Sequence, residues 1–272
     1  MSEPTRRETS GSLARLVPLG CLVAIAVIGP SVARYDPQAT STAILVGPGP
    51  QHWLGTDDTG SDVFSRLVAA TGLDLYIGFT SVAGAFIVGV LLGALVGYSR
   101  SWWPPAVMWL MDFLQSFPVF IFALALVAAR GQALSTIILV IGFVNLPIFV
   151  RLVRSEVLGL RDRAFVDAAR CAGCSDLRIA VLHILPNALT PAASQASVNI
   201  GWALLLTAGL TFVGAGVQPP TPEWGGMIAN GAKYMIIGKW WVSFFPGAAL
   251  GIAVLAFAFA GDFLKARFGG DQ

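Results

Sequence analysis

Few side chains in this sequence could carry chemistry, and their spacing removes most options at once. The two histidines, His52 and His183, lie far apart, so neither a zinc-hydrolase helix signature nor a two-Cys, two-His site can be assembled. Cys21, Cys171 and Cys174 are too few for a disulfide framework. Cys171 and Cys174 form a C-x-x-C pair, the pattern of a redox or metal site. Without a second pair it reads as two small apolar residues one helical turn apart. Nucleotide hydrolysis needs a G-x-x-x-x-G-K-[ST] loop to cradle phosphate. Gly238-Lys239 is followed by Trp240 and has Lys233 where the first glycine belongs, so any ATP must be hydrolysed by a partner. No serine has a histidine within its own apolar segment, and there is no chain of acids or histidines for a proton relay. The expectation is no catalytic residue, no metal site and no cofactor.

The elements that must position the remaining residues are membrane spans. Of 272 residues, 56% are hydrophobic and 12% charged, and the mean hydropathy is +0.73. An ordinary soluble domain has about a quarter of its residues charged. A net charge of +2 is too balanced for a nucleic-acid binder, whose footprint is a dense basic stripe. A span needs roughly 20 mostly apolar residues to cross about 30 Å of hydrocarbon. Six stretches qualify, at 16–33, 76–98, 107–129, 133–153, 189–211 and 241–260. The expected fold is an all-α polytopic membrane protein of six transmembrane helices. Asp112 is the one charge well inside a span, and it lies near an end.

Basic residues set the orientation. Twelve of the 17, among them Arg100, Arg151, Arg154, Arg161, Arg163, Arg170, Arg178 and Lys265, fall on one side, which the positive-inside rule makes cytoplasmic. The topology is N-in/C-in. It has a cytoplasmic N-tail at 1–15, a first span at 16–33 and an extracytoplasmic loop at 34–75. A core of five helices follows at 76–262, with a second external loop at 212–239, and the C-tail is 263–272. The first span, ending Ser31-Val32-Ala33, also has the form of a cleaved signal peptide. The external loop at 34–75 holds "YDPQAT", "GPGPQHW" and "GTDDTGSD", turn chemistry that fits a folded or a flexible segment. The second span repeats Ala85, Gly89, Gly93 and Gly97, which lets another helix approach closely, within this chain or from another.

The cytoplasmic loop at 154–186 is the least membrane-like stretch on its side. Val157, Leu158 and Leu160, then Phe165, Val166, Ala169 and Ala172, follow helical spacing, and Gly173 breaks the turn. Cys174-Ser175-Asp176 offers a cap for a second helix carrying Leu177, Ile179, Val181 and Leu182. An amphipathic helix here lies on the membrane surface or fits a groove in a soluble partner.

The segment "FVDAARCAGCSDLRIAVLHILPN", 165–187, resembles the cytoplasmic EAA loop of ABC importer permeases. The acidic position is Asp167, followed by Ala168 and Ala169, then Gly173, with Ile184-Leu185-Pro186 closing the pattern. Here Asp167 stands where Glu is usual, and Cys171, Ala172 and Cys174 where Ala, Leu and Ala are more common. "HWLGTDDTGSDVFSRL", "LTFVGAGVQPPTPEWGGMI", "WWVSFFPG" and "GDFLKARF" are similar to segments of the dipeptide and oligopeptide permease group, which includes nickel permeases, and specifically to its C-type subunit.

The resemblance implies a type I ABC importer permease fold and a subunit of an ATP-driven importer of di- or oligopeptides in a prokaryotic inner membrane. It implies a homologous second permease, a cytoplasmic ATP-binding subunit and an extracytoplasmic substrate-binding protein as partners, and no nucleic acid. Asp167, Ala168, Ala169, Arg170 and Gly173 would then form the coupling helix that docks on the ATPase. Gln195, Ser197 and Asn199 in the fifth span are candidates to line the path, although polar side chains also join helices to one another. A nickel or other small-ligand importer permease, for haem for example, is the alternative within the group. A multispan enzyme or anchor is the alternative outside it.

Overall fold

The computed structural model describes residues 13–268, and every named element among them is helical. Helix α1 (Val17–Val32) packs along α2 (Val63–Tyr98). A side chain at Gly29 would stand 2.7 Å from the Val68 carbonyl, so the two backbones cross there in contact. Asp62 starts α2 as its N-cap, accepting from the Ser65 N–H at 2.8 Å. The helix therefore begins well before 76, and Asp74, expected in the external loop, is instead a buried residue of α2.

The expected third span, 107–129, is broken. Helices α3 (Pro104–Gln115) and α4 (Val119–Arg130) are bent by 88° across Ser116-Phe117-Pro118. Pro118 brings no N–H, and its ring pushes Phe117 out of helical geometry. The Ser116 N–H turns back to the carbonyls of Asp112 and Phe113 and closes α3. Helix α5 (Leu134–Leu160) continues past 153, so Val157, Leu158 and Leu160 extend a span helix and are not a separate amphipathic piece.

A short α6 (Ala164–Cys171) follows, then α7 (Asp176–Ile179), which runs through a π-helical turn (Ala180–Ile184) into α8 (Leu185–Phe212). Beyond α8 lie α9 (Trp224–Ala232), a 3-10 turn (Met235–Ile237) and α10 (Trp241–Phe268). The main core joins α2, α5, α8, α9 and α10 through buried residues such as Ile77, Ile141, Phe149, Leu204, Trp224 and Ala253.

The small-residue stripe of α2 is used within the chain, against α5. A Cβ would fall 2.5 Å from the Phe149 Cβ at Gly89, 2.8 Å from the Val150 carbonyl at Gly93, and 2.8 Å from the Val157 Cβ at Gly97. Close approach of the two helices replaces side-chain volume with backbone contact.

Helices α2, α5 and α10 are each long and apolar enough to cross a membrane, and α3 with α4 would be a fourth crossing if the bent pair is one span. Helix α1, at 16 residues, is short for a crossing. Helix α8 has 28 residues, but its many polar side chains set it apart from the apolar spans, and its Ser194, Ser197 and Asn199 are buried among the other helices.

The segment 34–62 is folded. Asp57 Oδ1 accepts from the Thr59 N–H, the Thr59 hydroxyl and the Ser61 N–H, all within 2.9 Å. Gly60 has φ +74°, and a side chain there would run into the Ser41 carbonyl. His52 Nδ1 sits 2.9 Å from Asp62 Oδ1, with its ring beside Tyr35. Asp58 holds the segment to α9 and its C-terminal turn, accepting from Asn230 at 3.0 Å and from the Tyr234 hydroxyl at 3.1 Å. Trp241 donates to the Thr56 carbonyl at 3.2 Å.

Candidate functional site

The segment that carries the loop motif lies at the end of the bundle where α2 finishes and α5 leaves the core. It has a small core of its own, in which Val166 of α6 and Ile179 of α7 are fully buried with Val90, Val153, Val157 and Ile184. Helix α6 is therefore fixed to α2, α5 and α8 on one side, while Asp167, Ala168 and Arg170 are turned to the other, all three exposed.

The spacing of the motif is explained by the way α6 stops. The Cys174 N–H donates to the Ala169 carbonyl at 3.1 Å and the Gly173 N–H to the Arg170 carbonyl at 2.9 Å. This pair of bonds, with Gly173 at φ +80°, is the Schellman ending, in which a left-handed residue reverses the chain after the last turn. Ala169 and Cys174 both pack on the small core, supplying the apolar contact that accompanies that ending. A glycine four residues beyond the second alanine is thus a geometric requirement. Ser175 then caps α7, its hydroxyl accepting from the Arg178 N–H. Cys174 packs on the small core while Cys171 is exposed.

The charges here are mostly paired. Arg170 reaches Asp167 at 3.5 Å and Asp176 at 3.9 Å, and the Tyr98 hydroxyl donates to Asp176 at 2.6 Å. The Tyr98 hydroxyl, and beyond it Asp176 and Asp167, push the Arg170 guanidinium above its ordinary pKa against the pull of desolvation. Arg161 donates to the Gly97 carbonyl at 2.9 Å, tying the foot of α5 to the end of α2. Arg151 pairs with Asp112 at 2.5 Å and Arg100 with Asp162 at 2.7 Å. The exposed apolar residues are Phe165, Leu177, Val181 and Leu182. The surface offered to a partner therefore combines exposed apolar side chains with the Arg170–Asp167 pair and with the exposed Arg163 and Arg178.

The three candidate path residues separate. Ser197 is buried and donates to the Phe257 carbonyl at 2.7 Å, joining α8 to α10. Gln195 donates to the Asn199 side-chain oxygen at 2.8 Å, and the buried Asn199 Nδ2 has no partner among the described residues. Gln195 also lines a cavity of about 520 Å3 with Glu156, Asp262 and Lys265, at the same end as α6.

At the other end, the "PEWGG" stretch builds a site that sequence reasoning passed over. Both Glu223 oxygens accept backbone N–H groups, from Gly225 at 2.7 Å and Gly226 at 2.8 Å, capping α9. Asp74 accepts from the Trp224 N–H at 3.1 Å, and the Trp224 indole donates to the Leu67 carbonyl at 3.2 Å. The signal that could have found this lay in the apolar run before 76, where a longer helix places Asp74 on the buried face.

A profile of the family described as "Binding-protein-dependent transport system inner membrane component" matches residues 89–269, a range that includes the whole of α6 and its turn. The dipeptide transport system permease protein DppC of Alkalihalophilus pseudofirmus is 39% identical over 251 residues, covering 92% of this chain and 82% of its own. The di/tripeptide transport system permease protein DppC of Pseudomonas aeruginosa is 39% identical over 262 residues, covering 94% and 86%. The glutathione transport system permease protein GsiD of Pectobacterium atrosepticum is 35% identical over 246 residues, covering 90% and 81%. Among solved structures, an inward-facing MetNI methionine ABC transporter chain matches with a TM-score of 0.61 at 22% identity, over 74% of this chain and 95% of that one. That likeness speaks to fold alone.

Proposed function

This chain belongs to the family of binding-protein-dependent transport system inner membrane components, and we propose that it is a permease subunit of an ATP-driven importer of short peptides. The observation that carries the reading is the joint one. Relatives that cover most of the chain are named for dipeptide, di/tripeptide and glutathione transport. The family motif lies on a helix held against the bundle with its other face free. In this reading the chain crosses the membrane six times with both termini in the cytoplasm. Helix α1 and the polar α8 supply crossings, and the bent α3–α4 pair forms one more. It pairs with a homologous permease, receives cargo from an extracytoplasmic binding protein and docks on a cytoplasmic ATPase.

Mechanically, α6 is a handle. Its apolar underside is anchored to α2, α5 and α8, so a force applied to α6 by a closing ATPase moves those helices as a body. Ala168 is the small exposed side chain that lets a groove close on the helix, and Arg170 with Asp167 forms a pair that a partner can enter without meeting an uncompensated charge. Ala169 serves differently, since it packs inward. Gln195 is the candidate path residue that faces open space, while Ser197 acts as a fastener between helices.

Peptide is favoured over nickel because the relatives that cover most of the chain are named for dipeptide, di/tripeptide and glutathione transport. The test is reconstitution of the complete transporter in proteoliposomes with its binding protein. Labelled dipeptide should enter on addition of ATP. Ala168→Asp should lower the peptide carried per ATP hydrolysed while the chain still inserts. Normal uptake by that variant would overturn the coupling role, and uptake of nickel without peptide would overturn the substrate.

A further inference from the structure

We propose that Asp74 is a positioning residue that works as a neutral acid, sharing one proton with Glu223 and so fixing α9 to α2. The contact is independent of the cargo. Helix α2 has 36 residues, about 54 Å at 1.5 Å per residue, more than the roughly 30 Å of hydrocarbon. Its first turns, with Asp74, therefore stand outside the apolar stretch that begins at 76.

Three successive N–H groups open α9, and acids accept all three. Glu223 accepts from Gly225 at 2.7 Å and from Gly226 at 2.8 Å, and Asp74 accepts from Trp224 at 3.1 Å. N–H groups at the start of a helix point the same way, so their acceptors converge. The Asp74 carboxyl thus comes within hydrogen-bonding reach of Glu223. Both acids are only 2% exposed.

No cation stands between them. Among the described residues neither acid is in an ion pair. Helices α1 and α8 carry no charged side chain, and α10 carries none before Asp262. On α2, Arg66 lies about two turns before Asp74 and is engaged by Asp57 and the Pro37 carbonyl. On α9, Lys233 is at the far end and donates to Asn230. The 34–62 segment directs Arg34 to the Pro50 carbonyl and His52 to Asp62.

Two buried carboxyl groups in contact, with no cation beside them, do not both ionise; one keeps a proton. Glu223 is the one that carries the charge. It holds two backbone N–H groups at the positive end of α9, and an ionised carboxylate has lone pairs left for a third donor. Asp74, with its single N–H bond, keeps the proton and becomes that donor. An asparagine at 74 would reproduce both halves of the contact, its carbonyl accepting from Trp224 and its amide donating to Glu223.

The full chain, purified in an ester-free detergent at neutral pH, is measured by infrared absorption and by amide hydrogen exchange. A protonated carboxyl absorbs apart from a carboxylate, and Asp74→Asn should remove one protonated-carboxyl band from the wild-type spectrum. Exchange at the Gly225 and Gly226 amides should stay within about threefold of wild type in Asp74→Asn. In Asp74→Ala, where Glu223 loses its donor and Trp224 its acceptor, exchange should quicken about tenfold or more. An unchanged band overturns the proposal. So does exchange in Asp74→Asn that is quickened or slowed beyond that threefold, slowing being the sign that the substitution relieved repulsion between two ionised acids. If Asp74→Ala does not fold, the band and the Asn variant decide.

Discussion

Replacing Gly173 isolates the turn that ends α6 from everything else the helix does. Its φ of +80° is a conformation that L side chains rarely adopt, yet no atom lies within 4 Å of where a Cβ would sit. A substitution therefore costs backbone strain and no clash. For an ordinary L residue in left-handed geometry that strain is about 1–2 kcal/mol, roughly a five- to thirtyfold penalty on the formed turn. Asparagine tolerates the conformation better than alanine does, and a β-branched residue tolerates it least. The expected order of coupling efficiency is Gly, then Asn, then Ala, then Val, with Asn losing less than about threefold and Ala about five- to thirtyfold if the docked state needs the turn formed. The assay is peptide accumulated per ATP hydrolysed in proteoliposomes holding the complete transporter, normalised to the amount of this chain inserted. Insertion should stay constant across the series, since the turn lies outside the main core. A Gly173→Val variant that behaves like Gly173→Asn, or a whole series that matches wild type, would refute the argument that the Schellman ending sets the handle's position.

Other perturbations follow from particular contacts. Gly93→Val should strain the α2–α5 contact by about 1–3 kcal/mol, because its Cβ would fall 2.8 Å from the Val150 carbonyl; thermal unfolding in detergent measures the loss. Ser197→Ala removes one bond to the Phe257 carbonyl and should cost about 1 kcal/mol of stability, leaving the preference among peptides unchanged if Ser197 is a fastener. The charge of Asp58, reinforced by their hydrogen bond, raises the Tyr234 phenol above its ordinary value of 10.0. A raised acid that is neutral when protonated contributes its stability below the unfolded pKa and loses it as pH rises through the folded one. Phenolate absorbance should thus titrate lower in Asp58→Asn than in wild type, and the 34–62 segment should loosen from α9 only in strongly alkaline solution.

Membrane residence and the loop motif were legible in the sequence, since each depends on residues close together along the chain. A run of apolar side chains reports its own span, and Asp167-Ala168-Ala169 with Gly173 reports its own turn, because helix ending is a local hydrogen-bond pattern. Even so, hydropathy placed the start of α2 too late. It sees the apolar stretch and misses the polar first turns, which the Asp62 cap and the Trp224 contacts hold in helix. The break at Pro118 was local too, yet a single apolar run concealed it.

The tertiary structure decided matters that join distant residues. The glycine stripe at 89, 93 and 97 was open to either partner until α5 was seen in contact with it. Gln195, Ser197 and Asn199 are alike in sequence; what surrounds them turned one toward a cavity, one to the Phe257 carbonyl and one into the core. Asp58 lies far along the chain from Asn230 and Tyr234, and only the packed structure sets the 34–62 segment against α9 through them. Local propensity and hydropathy act over a few residues and can be read one window at a time. Which polar group is satisfied, and by whom, is a property of the packed neighbourhood, and no window along the chain contains it.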